Sequence, residues 1–291
     1  MGAEISGITG WFGAAKNSYE RRVADLGRTG GSGVQVRLKA VVLTVLVVLF
    51  SARCAPAHSD YIPRDPDLLR QPLYFYPDQG SARHPKAGVF FLGNDLGFWE
   101  PHQKLAERLA SKGYAVVGFD VKKFLDRLPD SVLLRDSVLA HDIPILIKRS
   151  MHELGADSVP IIIGGHSFGA DIALWAEANT RMPGVIGVLA LGPTKRDHPT
   201  VTLNDKMNLG EPTEPGSFSI ADQIRNTPPK VHIALLRGVS DKERKFDLDF
   251  IAAGGSRLSY TVIPFASHSL KSLIIAGPMI ERALDRLVAG W

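Results

Sequence analysis

Cysteine is almost absent from the 291 residues: Cys54 is the only one. A lone cysteine excludes a disulfide within a monomer and any thiolate-rich metal site. A long apolar run is missing too. The most apolar stretch, Ala40 to Phe50, is half the length of a membrane-spanning helix, which needs about 20 residues. Most of the chain also lacks a charge excess. The formal net charge is +4, but residues 1–57 hold seven of the 34 Lys and Arg and three of the 30 acids, which leaves 27 of each beyond Ala57. That balance gives no electrostatic case for nucleic-acid binding. No G-x-G-x-x-G, no P-loop and no His/Asp/Glu cluster with metal-ligand spacing occurs, so neither a cofactor nor a metal is expected. What remains is an ordinary globular composition, 45% hydrophobic and 22% charged. The length suits one large α/β domain or two small ones.

Residues 1–57 read as a leader. Arg37 and Lys39 precede the apolar core 40–50, and Ala55-Pro56-Ala57 follows it. A positive flank, a short apolar core and an A-x-A site are the three parts of a secretory signal peptide. Cleavage after Ala57 and export to the periplasm or beyond are the expectation; the alternative is an uncleaved anchor over 40–50. Arg53, directly before Cys54, argues against a lipoprotein signal.

From residue 58 to 291 the punctuation alternates strand and helix. Apolar runs at 72–77, 87–95, 114–120, 158–165, 184–192, 230–238 and 257–265 read as strands. Residues 101–112, 132–153, 168–180 and 269–289 read as helices, with Pro144 disturbing the second and Gly277-Pro278 breaking the last. Near-continuous apolar strands belong to a sheet covered on both faces. The fold class is therefore α/β: a mostly parallel, doubly wound sheet flanked by helices. The polar, Pro- and Gly-rich stretch 193–229 breaks the rhythm and is read as a cap or lid insert that adds little to the core.

Gly165-His166-Ser167-Phe168-Gly169 is G-x-S-x-G, set between a strand and a helix. That setting is what a nucleophile elbow requires: a tight turn that exposes the serine hydroxyl above the sheet, at a helix N-terminus that favours a developing oxyanion. A serine nucleophile needs a base, and the base an orienting acid, in the order serine, acid, histidine. His102, His141 and His152 lie upstream on helices and are expected to be solvated. His166 can support the elbow, His232 is within a strand, and His198 lies in the insert. His268, directly after the last strand, is the candidate base. Asp241, just past the preceding strand, is the candidate acid, with Glu243 second. The oxyanion hole is assigned to the backbone N–H groups of Phe168 and of Asn94, in the loop "FFLGNDLGFW", with Asp95 next.

On these residues the segment 72–291 resembles an α/β-hydrolase. A narrower likeness, carried by "GNDLGFWEPHQKLAERLASKGYAVVGFD" and "HSFGAD", is to the VirJ/AcvB group of exported bacterial proteins, which is associated with hydrolysis of aminoacyl-phospholipids. Asn94-Asp95-Leu96 departs from that group's glycine-rich loop. The resemblance implies an exported serine hydrolase acting on a small-molecule or lipid ester, with proximity to a membrane surface. A member of the fold that binds but does not catalyse is the alternative; the intact serine, acid and histidine in order argue against it.

Overall fold

The structure is a computed structural model that describes residues 58–290 other than 81, 130, 131, 201–211, 214, 215, 274 and 276. The leader, its apolar core 40–50 and Cys54 lie outside the described residues, as does the middle of the insert 193–229. Among the described residues no helix is long and apolar enough to cross a membrane.

In chain order the elements are β1 (Leu73–Tyr76), β2 (Gly88–Leu92), α1 (Glu100–Ser111), β3 (Ala115–Phe119), α2 (Val121–Leu125), α3 (Val132–Glu153), β4 (Ile161–His166), α4 (Phe168–Thr180), β5 (Val185–Leu191), β6 (Arg196–Asp197), β7 (Phe218–Ser219), α5 (Ile220–Asn226), β8 (His232–Gly238), α6 (Asp247–Gly254), β9 (Leu258–Ile263), α7 (Leu270–Leu273) and α8 (Gly277–Ala289). A seven-stranded sheet runs in the order β1-β3-β2-β4-β5-β8-β9. Only β1, at one edge, is antiparallel to its neighbour. All carboxyl ends of the parallel strands therefore open on one side, and the crevice there is where open α/β sheets bind ligands.

The strands are apolar throughout because both faces are covered. Successive side chains point to opposite faces, and β2 shows the consequence. Phe90 packs into a core with Ile163, Val188 and Ile172, whereas Phe91 packs into a second core with Leu105, Leu109 and Leu284. Leu105 and Leu109 lie one turn apart on α1 and are buried, so either cut to Ala would cost about 2–5 kcal/mol. Pro144 lies inside α3 without dividing it.

The structure corrects two expectations. His102 is fully buried, not solvated: at the third position of α1 it faces Phe91 and Phe98. The insert also contributes to the core. Ser219 caps α5, whose Ile220 and Ile224, a turn apart, are completely buried in the same core as α4. The polar average of 193–229 hid this short amphipathic turn.

Candidate active site

The elbow is built by close backbone approach. Ser167 has φ 54° and ψ −124°, a conformation a serine adopts only under local strain. A Cβ on Gly165 would meet the backbone of Gly169 at 2.2 Å, and one on Gly169 would meet the carbonyl oxygen of Gly93 at 2.2 Å. Both flanking glycines are thus sterically required. The Ser167 N–H donates to the Leu191 carbonyl at 2.9 Å, which ties the turn to the end of β5.

Three loops at the carboxyl edge meet there. The Ser167 hydroxyl donates to His268 Nε2 at 2.8 Å. His268 Nδ1–H donates to Asp241 Oδ2 at 3.0 Å, an acceptor-only partner that fixes the ring's tautomer. Glu243 does not take the acid's place; its N–H donates to Asp241 Oδ1 at 3.0 Å. His198 is buried and bonds Thr200 through Nδ1 at 2.7 Å, so the structure does not bring it to Ser167.

Electrostatics favour an ionised Asp241 and a basic His268. Burial pushes the Asp241 carboxyl up, but the His268 hydrogen bond and the charges of His268 and Arg237 outweigh it and hold it at about 2. Burial pulls His268 down, and the bond and charge of Asp241 more than reverse this, so its pKa lies above the ordinary imidazole value.

The cleft over this line has a volume of about 840 Å³. Asn94 and Phe168 line it beside Ser167. Phe168 opens α4, so its N–H has no acceptor within the helix. The Asn94 carbonyl accepts from the Gly97 N–H at 2.9 Å, which curls the loop after β2 over the elbow. No group of three or more His, Cys, Asp or Glu side chains among the described residues could hold a metal ion.

Three supporting side chains escaped the sequence reading. Arg237, fully buried in β8, donates to Asp241 Oδ2 at 3.0 Å, to Asp247 Oδ1 at 2.8 Å and to the Pro193 carbonyl at 2.7 Å. A lone cation inside the apolar strand "HIALLRG" was the available signal, because a buried charge needs a partner. Asp247 was findable only as that partner. Asp171, on the first turn of α4, is fully buried and accepts from the Thr194 N–H at 3.0 Å and hydroxyl at 2.8 Å, and burial raises its pKa. An acid in the otherwise apolar run "FGADIALW" was its signal.

No protein-family model matches the chain, and no curated protein is similar to it in sequence. Solved structures are similar in fold. A thermostable carboxyl esterase from Bacillus coagulans matches with a TM-score of 0.54 at 12% identity, over 74% of this chain and 94% of that one. An α/β serine hydrolase homologue from Coxiella burnetii matches at 0.52 and 15%, over 73% and 90%. Esterase 2 of Thermogutta terrifontis matches at 0.51 and 17%, over 75% and 88%. With the serine elbow at the carboxyl edge of a mostly parallel sheet, these likenesses make the chain an α/β-hydrolase in fold.

Proposed function

We propose that the protein is an exported serine hydrolase that cleaves an ester or thioester through an acyl-enzyme on Ser167. The observation that carries this reading is the hydrogen-bonded line Ser167–His268–Asp241 on the floor of the cleft. Ser167 Oγ attacks the acyl carbonyl while His268 Nε2 takes its proton. Asp241 stabilises the imidazolium and holds its orientation. The N–H groups of Phe168 and Asn94 receive the oxyanion. On collapse, His268 returns the proton to the leaving alcohol or thiol. A water molecule, deprotonated by His268, then releases the acid and restores Ser167.

The cleft volume lies in the range of small-molecule sites, which supports a substrate the size of a short ester or a lipid headgroup. The likeness to the VirJ/AcvB group extends the proposal to aminoacyl-phospholipids, met at a membrane surface. The leader supports export with cleavage after Ala57; mass spectrometry of protein from the envelope fraction is then expected to give His58 as the first residue.

Ser167→Ala tests the chemistry. Against a panel of short esters, thioesters and aminoacyl-phosphatidylglycerol, it is expected to lower kcat by about 10³-fold or more while the fold stays intact. Retention of more than about a tenth of the activity would overturn the assignment.

A further inference from the structure

Three imidazoles stand in file at the elbow. The ring centroids of His102 and His166 are 5.7 Å apart, and those of His166 and His268 are 5.6 Å apart. Only His268 enters the chemistry above; His102 and His166 are both buried.

Their hydrogen bonds assign their protons. His166 Nε2 lies 2.8 Å from the carbonyl oxygen of His268. A carbonyl only accepts, so Nε2 carries the proton and Nδ1 of the neutral ring keeps its lone pair. His102 Nδ1 receives the Trp99 N–H at 3.3 Å, so the proton of that ring sits on Nε2. Two atoms are then left over, His102 Nε2–H and His166 Nδ1. Both are enclosed, and neither has a hydrogen-bond partner among the described residues. One is a donor and the other an acceptor, on adjacent rings.

We propose that these two atoms are partners, joined by a small ring rotation or through one enclosed water, and that the His102–His166 pair is a positioning device that holds the His268 loop by its carbonyl. The device rests on the reading of His268 as the base. Its hydrogen bonds then run in one direction, from the Trp99 N–H through His102 and His166 to the backbone of His268. The side chain of that same residue is held from its other end by Asp241. Buried polar groups pair whenever geometry allows, and an enclosed water bridges such groups where there is room for it.

The pair stays neutral. Burial pulls His166 down to about 4 and His102 well below the ordinary imidazole value. Phe91, Phe98 and Trp99 surround His102. The charged groups acting on His166 are His268 and Asp241. A neutral pair orients His268 without opposing its protonation during the reaction. It moves no proton itself.

The test combines spectroscopy on the wild-type chain with two sets of variants. In ¹⁵N-histidine NMR, both rings are expected as the neutral Nε2–H tautomer, with no titration between about pH 5 and 8. His166→Leu is expected to lower kcat by about 10- to 100-fold with KM little changed. His166→Gln, whose amide reaches the Nε2 position, is expected to recover most of that loss. Adding His102→Leu to His166→Leu is expected to cost nothing further in kcat, because the chain is already cut. A His166 ring that titrates near 6.5, an Nδ1–H tautomer on either ring, or fully additive losses would each overturn the proposal. The wild-type tautomers decide the matter even where the leucine variants fail to fold. Loss of ester cleavage in Ser167→Ala is read separately, so failure of the hydrolase reading is distinguishable from failure of the positioning device.

Discussion

The floor and the wall of the cleft are built on opposite terms. On the floor, Ser167, Asp241 and Arg237 are buried, and each has defined partners. On the wall, 242–246 form a short turn whose Lys242 and Lys245 are exposed, and 194–197 run from a loop into β6 with Lys195 and Arg196 half-buried. Lys195 and Lys245 both stand over the Phe246 ring, at 5.0 and 4.7 Å from its centroid. Loss of water explains the contrast. A buried polar group without a partner is costly, so the floor has one arrangement. A wetted cation has several of nearly equal energy. Chemistry is accordingly expected of the floor, and substrate preference of the wall.

The largest expected effect is at the floor. His268→Gln removes the base and should lower kcat/KM by about 10³-fold or more. His198→Gln, more deeply buried than His268 but bonded to Thr200, should leave it within about tenfold, a loss no larger than one moderate barrier change. Steady-state kinetics on one ester checks both, and the reverse order would move the base into the insert.

Arg237→Met comes next. It strands the carboxylates of Asp241 and Asp247 in the interior, where breaking a buried ion pair costs about 3–5 kcal/mol. Denaturant unfolding measures this. The same variant shifts the pH profile in a direction that can be stated. His268 must be neutral to accept the Ser167 proton, so activity falls as pH drops through its pKa. The charge of Arg237 lowers that pKa, so its removal should move the acid limb of kcat/KM to higher pH. A limb that stays put would show that Arg237 acts on stability alone.

The smallest effect belongs to the wall. Lys245→Ala should change KM for a charged ester by a few-fold, about 1 kcal/mol, with kcat nearly constant. A large loss of kcat there would erase the distinction between floor and wall.

Much of the floor was legible in the sequence because tight geometry leaves few residue choices. Gly165 and Gly169 are dictated by backbone contacts near 2.2 Å, and a strand leading into such a turn is readable as an elbow. Ser167, Asp241 and His268 follow three strands in a fixed order, and the structure brings them together. The sheet was legible because both faces of every central strand are buried. What was not legible depends on which way an element faces. The position of His102 on α1 does not reveal that its ring turns inward onto Phe91 and His166. Ile220 and Ile224 are two apolar residues in a polar stretch, and only the capped helix sets them on one buried face. Arg237 was visible as an anomaly, but its partner Asp247 lies on another element, and the pairing is a tertiary fact.

Reaction of the purified chain with a fluorophosphonate probe tests the central claim most directly. If Ser167 is an activated nucleophile, peptide mass spectrometry should find the adduct on Ser167 alone. Labelling should vanish in Ser167→Ala and slow by about 10²-fold or more in His268→Gln, the cost of losing a general base. A folded wild-type chain that takes no label, or takes it on another serine, would contradict the assignment.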